Sequence, residues 1–268
     1  MSASRNIQRH TDGKPVELAE DEVSTEAPLQ ILVDEVPIAV LMRTPGDDEA
    51  LAAGFVMTEA VVPNPADIAY VRHCITLPKP LNENTVKVFL KRSAKVDLSE
   101  FSRSFAASSS CGVCGKTSIA SVFLNFLPVE SALQVDGAMV HGLPSRLRAA
   151  QQEFDHTGGL HAAGLFSASG ELWRSFEDVG RHNAVDKVIG SYVLEGRTPP
   201  EGILVLSGRA SFEIVQKALA ARLPMIVAVS APTTLAIELA DASEIALLGF
   251  ARDGRFNVYT HPERILAT

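Results

Sequence analysis

Two of the three cysteines, Cys111 and Cys114, form a Cys-x-x-Cys pair with a glycine after each and Lys116 close behind. Small residues at 106–110 lead into the pair, and apolar residues with helical spacing follow from Ser118. The pattern predicts an exposed loop that brings two thiols to the start of a helix over 116–126. A free thiol titrates near ~8.5, and only its thiolate is a good nucleophile. Unpaired N–H groups at a helix start, a lysine and a second thiol all favour the anion. Glycines let another molecule approach the sulfur. The site suits thiol exchange, sulfur transfer or metal ligation.

The pair supplies half of a four-thiolate zinc site, and no histidine follows Cys114 at a finger-like spacing. Cys74 lies far back in a strand-like stretch and reads as an inert core residue. A thioredoxin-like motif should sit early in a βαβ unit with an aromatic-rich approach, which is missing. A sulfur carrier needs one activated thiol on a mobile loop and a second near enough to assist. The bland alternative is two loop cysteines without chemistry. Residues 110–117 almost spell a phosphate-binding loop, but Ser110 stands where its first glycine belongs and no apolar strand precedes it, so an NTPase is excluded.

The elements that must position this loop come from a chain of 268 residues, 46% hydrophobic and 21% charged, as in a soluble globular enzyme. A net charge of −8 argues against a general nucleic-acid binder. Three cysteines suit a reducing compartment. The polar N-terminus lacks the apolar run of a signal peptide, and no apolar stretch approaches the ~18 residues of a membrane helix. A cytoplasmic protein with no membrane partner is expected.

Residues 1–27 read as a flexible lead-in. A small α+β region over 28–105 follows, with a hairpin of 29–33 and 36–42, a helix over 48–60 capped by side chains, and strands at 68–77 and 85–91. Residues 106–268 form an α/β core. A helix over 144–154 has Pro144 in its first turn. A hairpin of 160–167 and 171–176 precedes a helix over 181–194. Strands at 202–206, 225–229 and 245–250 then alternate with helices at 211–222 and 232–240, before a last strand at 255–260. The three alternating strands are continuous apolar runs, which suits a parallel arrangement covered on both faces.

Ligands bind beyond the carboxyl ends of such strands. There stand Ser207-Gly208-Arg209-Ala210-Ser211, then Ser230-Ala231-Pro232-Thr233-Thr234, then Gly249 to Arg255. The first two place hydroxyls, and the first also an arginine, at helix starts that can present N–H groups to phosphate. The third has Arg252 and Arg255 for phosphate, Phe250 for stacking and Asp253 to accept from a guanine edge. Each alone reads better as a capped turn with a solvated arginine; three on one edge point to a nucleotide site. The cluster Glu177 to Asn183 adds His182, whose protonation the adjacent Arg181 disfavours, as a proton shuttle, a ligand hydrogen-bonder or a structural residue.

The ordered set Cys111-Gly112-Val113-Cys114-Gly115, Asp178-Val179-Gly180-Arg181-His182-Asn183-Ala184-Val185-Asp186-Lys187, Ser207-Gly208-Arg209-Ala210-Ser211-Phe212-Glu213 and Val229-Ser230-Ala231-Pro232-Thr233 resembles the FdhD family of sulfur carriers required for formate dehydrogenase activity. The resemblance covers residues from about 28 to the C-terminus. It implies a sulfurtransferase that takes persulfide sulfur from a cysteine desulfurase on Cys111, with Cys114 assisting. The sulfur would pass to the molybdenum cofactor in its bis(molybdopterin guanine dinucleotide) form before insertion into formate dehydrogenase. Cofactor binding carries over to Phe250, Ala251, Arg252, Asp253, Gly254 and Arg255, joined by Ser207 and Arg209 from the edge argument, with GDP as an analogue of the ligand. The resemblance also implies a cytidine deaminase-like three-layer core with a mixed sheet, and a homodimer. A zinc deaminase is the runner-up, but Ser110 replaces the proline of its P-C-x-x-C signature, and the one H-x-E, His261-Pro262-Glu263, follows the cysteines instead of preceding them. No bound metal is expected. A cofactor-holding chaperone without catalysis is the third reading.

Overall fold

The structure, a computed structural model, describes residues 2–98 and 126–266. Cys111, Cys114 and the start of the helix read at 116 lie outside them. Where the sequence reads as a flexible lead-in, Ser2–Arg9 (β1) and Glu17–Ser24 (β2) pair as an antiparallel hairpin. Opposite charges face each other across it at Arg5↔Asp21 and Arg9↔Glu17. Its side chains are nearly all exposed, so no apolar alternation betrays it.

Ala27–Val33 (β3) and Val36–Arg43 (β4) form the expected hairpin, turned at Asp34 with φ 50°. Leu29, Ile31 and Val33 are fully buried, the period-2 signature of a half-covered strand. Asp48–Thr58 (α1) starts differently from the expectation. Asp47 adopts a left-handed φ of 55° and its side chain caps nothing. Asp48 instead grips the buried Arg43 guanidinium with both oxygens, at 2.9 and 2.8 Å. Ile68–His73 (β5) and Thr85–Leu90 (β6) complete a sheet of order β4-β3-β6-β5.

Past the undescribed segment come Val135–Asp136 (β7), Gly137–Val140 (α2), Leu143–Ala149 (α3) and Gln152–Thr157 (α4). The single helix read over 144–154 is thus two. The chain leaves helical geometry at Gln151, with ψ 73°. The Glu177 carboxylate then accepts from the N–H groups of Glu153 and Phe154, each at 2.9 Å, and starts a new helix.

His161–Phe166 (β8), Leu172–Asp178 (β9), Arg181–Val193 (α5), Ile203–Leu206 (β10), Phe212–Ala220 (α6), Met225–Ala228 (β11), Thr234–Ala242 (α7), Ala246–Arg252 (β12) and Arg255–Val258 (β13) follow. They build a six-stranded sheet of order β13-β12-β11-β10-β8-β9. β10, β11 and β12 are parallel, while β8, β9 and β13 add antiparallel, so the sheet is mixed. Ile265–Leu266 (β14) pairs with β7.

The continuous apolar runs are explained by two cores. Leu204, Leu206, Ile226, Ala228 and Leu247 face α1, α5 and α6. Ile203, Val205, Met225, Val227 and Leu248 face Val140, Leu143 and Leu147 of α2 and α3. The first core continues without a break into Leu29, Ile31, Val86 and Val88 of the smaller sheet. α1 and α5 cross at glycines: a Cβ on Gly54 would lie 1.9 Å from the Asp186 carbonyl oxygen, and one on Gly190 1.8 Å from that of Ala50. Among the described residues no helix is long and apolar enough to cross a membrane.

Candidate functional site

Strand direction decides where the chemistry gathers. The carboxyl ends of β10, β11 and β12 share one edge because these strands are parallel. β8 runs against β10 with Leu206 opposite Ala163, so β8 begins at that edge with His161. β9 runs against β8 with Asp178 opposite His161, so it ends there and feeds α5. Five connections therefore meet on one rim.

The turns are stitched together. Ser230 N–H donates to the Gly208 carbonyl at 3.4 Å, Thr233 N–H to that of Ala210 at 3.1 Å, and Phe250 N–H to that of Ser230 at 3.1 Å. Ser207 is partly committed to the scaffold, since its Oγ accepts from Ala162 N–H at 2.8 Å. Arg209 is exposed at the start of α6. Thr233 caps α7 by accepting from Ala236 N–H at 3.3 Å. Ser211 precedes α6 but makes no such cap; its hydroxyl meets His182 Nε2 at 3.1 Å.

Phe250 to Arg255 make a bulge and a tight hairpin. Phe250 has φ 53° where the register slips, and Asp253 and Gly254 have φ 54° and 70°, the two left-handed residues of an Asp-Gly turn between β12 and β13. Ala251 is buried. Arg252, Asp253 and Arg255 are exposed, with Arg252 Nε 4.0 Å from the Asp253 carboxylate. β12 is two strands from β10, about 10 Å at the usual strand spacing, so this hairpin and the Gly208 turn lie on one rim. Two cavities, of about 330 and 600 Å³, flank the Thr44–Asp47 loop instead, and neither is lined by these turns.

Electrostatics separates the rim's charges. Asp178 is fully buried and fully used: it pairs with Lys187 at 2.8 Å and accepts from Gly180 N–H, Asn183 Nδ2 and Thr44 N–H. It holds the β9–α5 corner instead of capping α5 in the ordinary way. His182 is pushed down to about 4, by burial first and then by Arg181 and Lys217, against Glu213 and Glu59. His161 is also lowered, by burial and then by Arg181 and Arg209, with Asp178 opposing. Both rings are neutral near pH 7. Below them, Lys217 bridges Asp186 at 2.8 Å, Glu59 at 3.1 Å and the Thr58 hydroxyl at 3.0 Å. Among the described residues no group of three or more His, Cys, Asp or Glu side chains could hold a metal ion. The rim can neutralise a multiply charged anion and offers one half-buried aromatic ring beside it.

The structure thus brings Ser207, Arg209 and the Phe250–Arg255 hairpin to one edge. Cys111 and Cys114 fall outside the described residues. Sequence reasoning left His161 out of the site, and assigned Arg181 only an effect on its neighbour. Strand register places both at the rim, and no spacing in the sequence singles out His161.

Comparison with known proteins follows this geometry. The FdhD/NarQ family model matches residues 24–266. The chain is 45% identical over 249 residues to the "Sulfur carrier protein FdhD" of Sulfolobus acidocaldarius, covering 92% of each. It is 42% identical over 272 residues to the protein of that name from Mycobacterium tuberculosis, covering 98% of each. A crystal structure of a candidate formate dehydrogenase accessory protein from Desulfotalea psychrophila superposes with a TM-score of 0.78 at 23% identity, covering 99% of both chains, and so shares the fold.

Proposed function

The chain belongs to the FdhD/NarQ family, and from that membership we propose that it is a sulfur carrier serving a formate dehydrogenase. The observation that carries the reading is near-full-length identity of 40–45% to proteins named as sulfur carriers. In the proposed reaction the Cys111 thiolate attacks the terminal sulfur of a cysteine desulfurase persulfide. One S–S bond breaks and another forms, the desulfurase thiolate leaves, and no net oxidation occurs. Cys111 then holds the persulfide, with Cys114 assisting; in delivery to molybdenum of the bis(molybdopterin guanine dinucleotide) cofactor, the bound substrate, the S–S bond breaks, the Cys111 thiolate leaves and the substrate's molybdenum supplies the two electrons that take the outer sulfur to sulfide. Arg209 and the Phe250–Arg255 hairpin bind a guanine nucleotide end of that substrate, a role supported by the stitching of their turns along one rim. The proposal includes a cytidine deaminase-like three-layer core, a homodimeric state and a cytoplasmic location.

The test is loading. The protein is incubated with cysteine and a desulfurase, and its intact mass is measured. The parent should gain one sulfur, and Cys111→Ala should gain none. Full loading of the variant would remove Cys111 from the reaction. A chaperone without sulfur chemistry would leave both masses unchanged.

A further inference from the structure

We infer that the cavity beside His73, at the start of α1, receives a guanidinium group carried by an arginine of a partner protein. The inference is independent of the nucleotide rim and of the sulfur chemistry.

This cavity, of about 600 Å³, is the larger of the two that flank the Thr44–Asp47 loop, and its size is that of a ligand pocket. Its wall carries one permanent cation, Arg43, and four carboxylates, Asp47, Asp48, Glu49 and Glu83. Arg43 is spent. It pairs with both oxygens of Asp48 and donates to the carbonyls of Ala27 at 3.2 Å and Glu83 at 3.3 Å. The Glu83 side chain turns to the exposed Lys79. Asp47 and Glu49 are left over. Among the described residues the Asp47 carboxylate meets no cation, and that of Glu49 meets just the His73 ring, at 4.0 Å.

The His73 ring shows what the cavity lacks. Its Nδ1 lies 3.3 Å from the Asn82 carbonyl oxygen, which can only accept, so Nδ1 carries the proton. In the neutral ring Nε2 is then an acceptor, and it faces Asp48 Oδ2 at 3.4 Å and Glu49 Oε1 at 4.0 Å. Asn82, on the same wall, adds a buried Oδ1 with no hydrogen-bond partner. Acceptors are gathered here without a donor, and unmatched acceptors are costly until a donor arrives.

The donor set decides the ligand. Among the described residues no three side chains here or elsewhere could hold a metal ion. A guanidinium brings five N–H donors in one plane with a permanent charge, and so can meet an imidazole nitrogen and two carboxylates together. Ile75, 75% exposed, stands on the cavity wall, and Leu81, next to Asn82 in the chain, is exposed as well. These aliphatic groups suit an apolar residue beside the arginine, which points to a protein source instead of a free cation. Arginine is also the charged residue that most often anchors protein interfaces.

The experiment measures binding of the full chain to a blocked tripeptide of leucine, arginine and leucine with a neutral fluorophore, by anisotropy. NMR follows the His73 ring signals, identified by their loss in His73→Gln, as unlabelled peptide is added. The peptide should bind saturably and move those signals. Citrulline in place of its arginine keeps the shape without the charge and should abolish binding; lysine should weaken it. Asp47→Asn and Glu49→Gln should each weaken binding by up to about fivefold, and together by roughly tenfold or more. Glu20→Gln with Glu22→Gln, on exposed β2, should change nothing, which controls for attraction of any cation to a chain of net charge −8. Circular dichroism checks the fold of each variant. No saturable binding, equal binding of the citrulline peptide, or parental affinity in the folded Asp47→Asn/Glu49→Gln double variant overturns the site. Equal affinity for the lysine peptide overturns the choice of a guanidinium, and methylguanidinium binding as tightly as the tripeptide overturns the protein source.

Discussion

Lys217 and Asp186 are almost completely buried, and each is the other's principal counter-charge. Burial works against the Lys217 ammonium, but Asp186 and Glu59 overcome it and hold its pKa above the ordinary lysine value. Removing one partner of such a pair leaves the other charge buried and uncompensated, typically at about 3–5 kcal/mol. Lys217→Met should therefore lower unfolding stability in urea by that amount; a loss under about 1 kcal/mol would mean the network contributes little. His182 and Asp186 titrate in overlapping windows with opposite sign. Burial raises Asp186 from 3.8 to about 6, so the folded state binds the extra proton and this contribution falls as pH rises through that window. His182 is lowered from 6.5 to about 4, so its contribution is intact above 6.5 and is lost as pH falls toward 4. His182→Gln removes only the second. The variant should gain on the parent as pH falls from 6.5 to 4, by up to about 1.4 kcal/mol per pH unit. A constant difference across that range would show that His182 titrates normally. The motif around Arg181 and His182 is visible in the sequence, but the company these residues keep is not. His161, Arg181 and Arg209 meet through register across three strands, and no linear spacing encodes it.

At the scale of elements, the alternation β10-α6-β11-α7-β12 is legible because each strand is covered on both faces and so reads as an unbroken apolar run. The β1–β2 hairpin is illegible for the opposite reason, having almost nothing to bury. The break at Gln151 is illegible too, because its cause is Glu177, a residue of another element. The α1–α5 crossing left a faint sign: glycines inside two helices that otherwise gain from any side chain. Gly→Ala in an exposed helix interior stabilises by about 1 kcal/mol. Here the backbone of the facing helix stands where the methyl would be, at 1.8 Å for Gly190, and no rotamer can relieve a clash with a carbonyl. Overpacking typically costs about 1–3 kcal/mol, and a contact this short belongs at the upper end or beyond. Gly190→Ala should thus lower the urea midpoint, while Gly196→Ala, with open space around it but φ 74°, should cost only its local backbone strain. Equal stability of Gly190→Ala and the parent would mean that the two helices can part cheaply.

For the molecule as a whole, the reading of a small unit over 28–105 beside a larger core over 106–268 follows a real change of texture, from hairpins to strand–helix alternation. Composition along the chain cannot show what lies between the two sheets. α1 does: it is covered on one side by β6 and β5 and on the other by α5, and a single buried cluster runs from Leu29 to Leu247. The polar contacts cross the same boundary. Thr58 donates to Asp186 at 2.8 Å, Asn183 to the Met42 carbonyl at 2.8 Å, and Lys187 to the Thr44 carbonyl at 3.2 Å. Unfolding the smaller sheet and α1 alone would uncover α5 and take Thr44, Thr58 and Glu59 away from the buried Asp178–Lys187 and Asp186–Lys217 pairs, so that partial state is not cheap. The two sheets should unfold as one cooperative unit. Native-state hydrogen exchange tests this directly: amides of Ile31 and Val88 in the smaller sheet should reach the same limiting opening free energy as Val205 and Val227 in the larger. Amides of the small sheet that open several kcal/mol more easily would mean that the N-terminal region is a separate unit that docks after folding.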